Sequence, residues 1–563
     1  MDAASLRKHL ESRRAALRQI EQKQEGAWKE LRDCICPYRG RFSGERPDEY
    51  RPDLSKIIDS TPLTALRMLS AGMQSGLTSP SRQWFKLSLR DAEMSEAQPV
   101  QEWCDGVQSL MMRVMASSGF YRALHALYEE IAVFGTGCLV IMPDWDHVID
   151  VTTLSAGTFY LGRSSGARID SLYRDLWMTA GEMAAEFGEA NCSEVVRSAL
   201  ESRRDTLFEV RHAIEPDTLG ASRFPWLSAY WEPGSGDRLL RIGGYTTFPC
   251  CTPRWTVGEG DVYGYGPASE ALPDVKTLMA MKRDYLTGIK KKAWPPLVAS
   301  SMVLEGGVKT APDGITYVTS GAVGPQIAPL YSVDLDLADL AAGIEQYKND
   351  VRKSLYVDLF MMLSEQDTGR MTAREVAERH EEKMLALGPV LESLEWELLI
   401  PAIDRIFDLM VERGIVPEPP GEVQGADVKV EFVSILAQAQ KMMGLSSIEQ
   451  TAAFAGQIAQ VDPTVLDAFD GEQAVRIYRD LVGAPAAILR EPEEAEALRA
   501  RREAQQQAAM QAAQEQAAAQ TAQSAAQGAQ SLAETPVGGG GSALDALIAP
   551  LGGSMAPDEE GTM

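Results

Sequence analysis

Two amphipathic helical patterns bracketing a short β-like module constrain the fold of this 563-residue chain more than any other feature. The first runs Pro267–Ala293, with Val275, Leu278, Met279, Leu286 and Ile289 on one side. Trp294-Pro295-Pro296 stops it, because proline lacks the amide that a further turn needs. The second places Leu337, Leu340, Ile344, Tyr347, Val351 and Leu355 at helical spacing and extends to Met362. Between them, 297–336 alternates short β-like runs with Gly and Pro. Neither helix is apolar all round, so each must bury a stripe against its partner and against neighbouring copies. A closed ring gives every stripe a place to go.

The flanking chain reads in blocks. Residues 3–34 form an amphipathic pattern carrying Leu6, Leu10, Leu17, Ile20, Trp28 and Leu31, closed by Cys36-Pro37. A second helix opens at Ser60-Thr61-Pro62, where proline suits the first turn, and runs to Gly76. Residues 100–134 are expected as helix and Cys138–Met142 as a buried strand. Strands and hairpins are expected over 149–257, with one short helix at 179–187 that Thr179 and Glu182 would close as a capping box. Thr372 and Glu375 repeat that spacing ahead of a helical pattern reaching Arg413, with Gly388-Pro389 and Pro401 as kinks and Gly414 as the stop. A strand at 427–434 and short helices over 435–490 follow. Between Ala504 and Ser531, 22 of 28 residues are Ala or Gln, a composition that favours helix but offers no core of its own. Gly538–Gly541 reads as a linker before a loose tail.

Charge and motifs limit the function classes. The balance of 54 Lys and Arg against 80 Asp and Glu gives −26, whereas a protein that grips nucleic acid through its phosphates normally carries a basic excess. Tight sequence-specific DNA binding is disfavoured. The 7 cysteines form no C-x-x-C pair, which suits a reduced interior. The polar N-terminus lacks the apolar core of a signal peptide, and no apolar run approaches the ~20 residues of a membrane span. The chain is therefore expected to be soluble, made in the cytoplasm and without a membrane partner. Gly162-Arg-Ser164-Ser-Gly166 matches G-x-S-x-G, but both flanks look like strands, whereas a hydrolase elbow needs a strand and then a helix. A hairpin turn is the better reading. Gly306-Gly307-Val-Lys309-Thr310 lacks phosphate-loop spacing, and Gly258 to Gly266 is equally weak as a nucleotide fingerprint. His9, His125, His147, His212 and His380 never stand at i, i+4, and no Cys/His cluster has zinc spacing. No catalytic residue, metal ligand or cofactor is assigned, and the chain is read as non-enzymatic.

A set of short motifs recurs in a fixed order. It comprises Cys36-Pro-Tyr-Arg-Gly40, Ile58-Asp-Ser60, Ala71-Gly-Met-Gln-Ser-Gly-Leu-Thr-Ser-Pro80 with Arg82 and Trp84-Phe85, and Gly135-Thr-Gly137. Glu209-Val-Arg-His-Ala213, Tyr263-Gly-Tyr-Gly-Pro267, Met371-Thr-Ala-Arg-Glu-Val376, Leu387-Gly-Pro389 and Glu397-Leu-Leu-Ile-Pro401 continue it. Over residues 15–500 the chain resembles the head-to-tail connector (portal) proteins of short-tailed, podovirus-type bacteriophages. The resemblance implies an α+β, predominantly helical fold of the phage portal type. An N-terminal helix at 1–35 would precede a wing at 36–267, stem helices at 268–296 and 337–362, and a small β clip at 297–336. A channel loop at 363–371 would lead to a long kinked wing helix at 372–414 and a crown at 415–492. The Ala/Gln-rich helix at 493–533 could then form a barrel, before a flexible tail at 534–563.

The resemblance also implies a role. A ring of copies, a homododecamer, would sit at one capsid vertex of the virion as the conduit for packaging and ejecting DNA. Its partners would be terminase, tail adaptor proteins, capsid and scaffolding proteins, and double-stranded DNA passing non-specifically. Other ring-forming virion components, a tail adaptor or nozzle subunit, remain the alternative, with an enzyme of divergent site behind them. An acidic wall would repel DNA and let it slide. Cations then stand out by position: Lys282, Arg283, Lys290, Lys291 and Lys292 on the first stem helix, and Arg370 in the polar loop. They are candidate channel contacts to phosphate, or else a solvated face, a helix cap or salt bridges between subunits.

Overall fold

The computed structural model describes residues 2–42, 45–89, 97–163, 168–294, 297–299, 327–329, 336–359, 388–421, 428–432, 448–459, 464, 470–482, 492–534, 536–537 and 541–542. They fall into two compact units, Met1–Ala484 and Pro485–Met563.

In the larger unit α1 (Ala3–Cys34) begins where the Asp2 side chain accepts the Ser5 amide at 3.1 Å. Helix α2 (Thr61–Leu77) carries Pro62 in its first turn, as its sequence dictates. Strand β1 (Phe85–Leu89) precedes α3 (Gln98–Ser117) and α4 (Phe120–Phe134). One helix was expected over 100–134, but Gly119 adopts φ +75 and breaks it, a left-handed conformation that glycine takes without a Cβ penalty. Strands β2 (Cys138–Asp144) and β3 (Val148–Leu154) form a hairpin, joined later by β9 (Cys250–Cys251).

Strands β4 (Phe159–Arg163), β5 (Ile169–Thr179), β6 (Leu207–Pro216), β7 (Trp226–Trp231) and β8 (Arg241–Tyr245) form a five-stranded antiparallel sheet in sequence order. Alternation along the strands assigns its two faces. Tyr173, Ala213, Leu227, Ala229 and Trp231 pack on Leu6, Leu10 and Leu17 of α1. Phe208, Val210 and Tyr230 point the other way, onto α5 (Ala180–Phe187) and α6 (Glu194–Ser202). The Thr179–Glu182 capping box is present in both directions. Helix α6 was not expected; its Ser193 cap and Glu194 are ordinary start signals in a segment whose strands dominate the pattern.

Polar groups fix the α1 seam as firmly as the leucines do. Arg14 donates to Asp175, with Nε at 2.9 Å from Oδ1, and Tyr160 donates to the same carboxylate at 2.8 Å. Glu11 accepts from Trp231 Nε1 at 2.9 Å and from Arg211 Nη1 through both oxygens. Arg7 reaches the Glu232 carbonyl at 2.7 Å. Trp28 and Leu31, farther along α1, enter the main core instead.

Two glycine-bearing loops set the launch point of α7 (Pro267–Ala293). A Cβ on Gly135, at φ +75, would lie 2.4 Å from the Gly264 carbonyl oxygen, and one on Gly266 would lie 2.6 Å from Ala132 O. The backbones therefore touch, and the Gly264 amide donates to Thr136 Oγ1 at 2.8 Å. Short strands β10 (Leu297–Ala299) and β11 (Ile327–Pro329) pair antiparallel, and α8 (Leu337–Ser354) follows. Helix α8 is interrupted after Ser354, where the chain turns at Leu355 and Tyr356 takes φ +54, and residues 357–359 are helical again; the expected end at Met362 lies outside the described residues.

A helical run then extends from Gly388 to Glu412 as α9 (Gly388–Leu394), a π-helical turn (Glu395–Leu399) and α10 (Ile400–Glu412), and Gly414 at φ +65 ends it. The π turn precedes Pro401, which has no amide to donate and would leave the Glu397 carbonyl unpaired in a regular ladder. Strand β12 (Val428–Phe432) returns to pair with β1, Phe85 opposite Phe432. Helix α11 (Gly471–Val482) is amphipathic.

In the smaller unit the Ala/Gln-rich stretch is a single helix, α12 (Pro492–Glu534). The 363–371 loop with Arg370, the Thr372–Glu375 box, Gly306–Thr310 and the tail beyond 542 lie outside the described residues.

Candidate functional site

The cations on α7 divide by environment. Lys282 is half-buried, its Nζ 3.9 Å from Asp59 Oδ2. Asp59 stands just before α2, and its Oδ1 accepts the Thr61 amide at 2.9 Å and the Thr61 hydroxyl at 2.5 Å. Burial works against ionising this carboxyl. The Thr61 hydrogen bonds and the nearby ammoniums of Lys348 and Lys282 prevail and hold it below the usual carboxylate range. Amides of Ile58 and Asp59 also point at Met279 Sδ, at 3.2 and 3.3 Å. The cluster thus ties α2, α7 and α8 together, and Lys282 serves the chain's own packing.

Arg283, Lys290, Lys291 and Lys292 are exposed instead. The three lysines occupy the last turn of α7, where unpaired carbonyls favour positive charge. Leu286 and Ile289, which spacing sets on the same side as Val275, Leu278 and Met279, are 42% and 37% exposed in the single chain, and Trp294 beyond them is 66% exposed. The inner stripe is Ala268, Ala271, Val275, Leu278 and Met279, so the apolar pattern of α7 serves two faces. Asp59 and Lys348 were missed from sequence; the Asp-Ser-Thr-Pro run before α2 is the signal for the first, and none marks the second.

Other reactive side chains are engaged structurally. The described strands on either side of the hydrolase-like motif, β4 and β5, pair antiparallel, where an elbow would need a strand and then a helix; Ser164 itself lies outside the described residues. His212 is buried, stacked on Tyr230 at 3.8 Å, with Nδ1 accepting from Arg174 at 3.0 Å. Burial and the guanidinium charges of Arg174 and Arg241 keep it neutral. Glu130, fully buried, accepts from Ser155 Oγ at 2.7 Å and from the Ala156 amide at 3.0 Å, and burial raises its pKa to about 6. Arg254 and Glu397 form a buried ion pair that pins the loop after β9 to the π turn. Burial pushes the thiols of Cys36 and Cys251 up to about 12, which leaves them unreactive. Among the described residues no His, Cys, Asp and Glu group could hold a metal ion, and no helix is long and apolar enough to cross a membrane.

The sequence matches the bacteriophage head to tail connecting protein family over residues 7–489. A probable portal protein of Bordetella phage BPP-1 is 39% identical over 507 residues, 88% of this chain and 91% of that one. A portal protein of Salmonella phage epsilon15 is 37% identical over 524 residues, 91% and 92% of the two chains. A chain in the neck of an empty gene transfer agent (GTA) particle superposes loosely, with a TM-score of 0.34 and 12% identity over 76% of this chain and 90% of that one.

Proposed function

Because the chain belongs to the bacteriophage head-to-tail connecting family, we propose that its copies close into a ring at one vertex of the capsid. Its function is that of a portal subunit, a structural component of the head–tail junction. The observation that carries this reading is the alignment with two portal proteins over some nine-tenths of each chain. In the ring, α7 and α8 act as the stem (268–296 and 337–362), with 297–336 as the clip at its tip. Residues 36–267 with 372–414 make the wing, 415–492 the crown, and α12 a barrel contribution. The ring is a dodecamer through which double-stranded DNA passes without sequence preference. Terminase docks before packaging and tail adaptors after it, while capsid and scaffolding proteins hold the rim. A net charge of −26 per copy supports a wall over which a polyanion slides. Arg370 remains a candidate channel contact, and assembly requires no nucleotide, metal or catalytic chemistry.

Native mass spectrometry and negative-stain imaging of the purified chain, with and without chelator, test the proposal. The expected result is a ring with a central hole under both conditions. A monomer, or a ring that forms only with metal, would overturn it.

A further inference from the structure

The outer face of α7 carries large apolar and cationic groups together: Arg283, Leu286, Ile289 and Lys290 are all exposed. Leu286 follows Arg283 by three residues and Lys290 follows Leu286 by four, so the three stand on one helix face, with Ile289 beside them. The outer face of α8 is the opposite kind. Ala338, Asp339, Ala341 and Ala342 are exposed there, with Asp336 capping the helix. Neither set finds an ion-pair partner among the described residues. Among the described residues Arg283, Lys290 and Asp339 make no ion pair, and Asp336 only accepts from the amides of Ala338 and Asp339.

Height relates the two faces. A Cβ on Gly343 would lie 3.0 Å from Met281 Cε, and the charge of Glu270, in the first turn of α7, is felt at Tyr356 just past the end of α8, so the two helices run antiparallel with Met281 near the level of Gly343. Counting five residues along each helix puts Leu286 level with Ala338. Arg283 and Asp339 then differ in height by about 3 Å, as do Lys290 and Asp336, at ~1.5 Å per residue. A ring axis along this helix pair leaves every residue at its own height from copy to copy. The large stripe of one copy therefore meets the small, acidic stripe of the next at matching levels.

Resting on the ring reading, we propose that Arg283, Leu286, Ile289 and Lys290 of one copy seat on Asp336, Ala338, Asp339 and Ala342 of the adjacent copy. Alanines let the helices approach closely enough for Leu286 and Ile289 to lose their water. The charges fix direction, because each helix pair presents its cationic face to one neighbour and its acidic face to the other. These cations then serve the wall between subunits and not the DNA.

Charge exchange across the contact tests this. Arg283→Asp with Lys290→Asp, on an exposed face, should fold normally by circular dichroism yet raise the concentration for half-assembly at least tenfold by sizing and native mass spectrometry. Asp336→Lys with Asp339→Arg should do the same. Mixing the two variants should restore assembly to within threefold of the parent, through alternating unlike contacts, one in every two of them parent-like in charge pairing and the other reversed. A second readout mixes chains carrying Leu286→Cys with chains carrying Ala338→Cys; only a contact between copies can cross-link them above the parent background. Variants that assemble like the parent, with no cross-link, would refute the contact while the parent ring upholds the ring reading. An intact ring with altered DNA retention would assign the stripe to DNA instead. A parent chain that never assembles would overturn both.

Discussion

Helices α1 and α12 are both long, 32 and 43 residues, yet they solve opposite problems. Helix α1 buries Leu6, Leu10, Leu17, Trp28 and Leu31, and it also buries Arg7 and Arg14 by giving each a specific acceptor. The described side chains of α12 are almost all exposed, and its Ala and Gln residues offer neither large apolar area nor fixed charge pairs. Helix propensity is high in α12, but propensity alone holds a helix weakly in water. Docking chemistry, not helix-forming tendency, decides which helix belongs to a core. An α12 bundle in the ring would have to draw its partners from neighbouring copies.

The α1 side of this contrast breaks most readily at its polar seam. Asp175→Ala should cost about 4 kcal/mol in a urea titration, since it strands the buried Arg14 guanidinium and the Tyr160 hydroxyl together. If the loss is under about 1 kcal/mol, water reaches the seam and the leucines alone carry the docking. Leu10→Ala comes next. Its side chain is fully buried against the sheet, so about 3 kcal/mol should be lost, mostly by leaving a cavity. Together the two variants separate the polar and apolar shares of one interface.

Glu21 sharpens the same comparison through pH. It is buried on the face that carries Arg7 and Arg14, and burial, reinforced by Glu25, raises its pKa to about 7. A carboxyl whose pKa is higher folded than unfolded binds its proton more tightly in the native state. Its stabilising proton is fully in place below the ordinary carboxylate pKa, and the benefit is lost as pH rises towards 7. Glu21→Gln should therefore stabilise the protein at pH 8 by on the order of 2 kcal/mol and do little at pH 4. Denaturant midpoints at the two pH values check the sign; equal shifts would mean that Glu21 is charged and solvated in the fold.

Much of the architecture was legible because it is written locally. The Thr179–Glu182 box, Pro62 in a first turn and Gly414 after a helix each act within a few residues. The two helices Pro267–Ala293 and Leu337–Ser354 were legible for the same reason. Contacts between distant segments were not. Nothing in Phe85–Leu89 names Val428–Phe432 as its strand partner, and Arg14 reads as surface charge until Asp175 is beside it. Lys282 is a case of the same kind: its partner Asp59 lies far away in sequence. Leu286 and Ile289 share helical spacing with the true core residues, so periodicity could not tell an inner stripe from an outer one.

The smallest effect is expected in α12, and its smallness is the point. Ala513→Gly removes a good helix former from the middle of an exposed helix, a local cost of about 1 kcal/mol. In α1 a comparable insult would pass into the core, because that helix and the sheet share their buried contacts. In α12 the penalty has no large buried side chain through which to spread. The urea midpoint of the 1–484 unit should therefore stay within error of the parent, while the helical signal of a 492–534 segment drops measurably. A midpoint that moves with Ala513 would show that α12 shares a cooperative core after all, and the contrast between the two helices would fall. If neither reading moves, the helix is held by neighbours strongly enough to absorb the glycine. Repeating the circular dichroism on dilute, unassembled chain separates that case, since α12 should then lose helix content even in the parent.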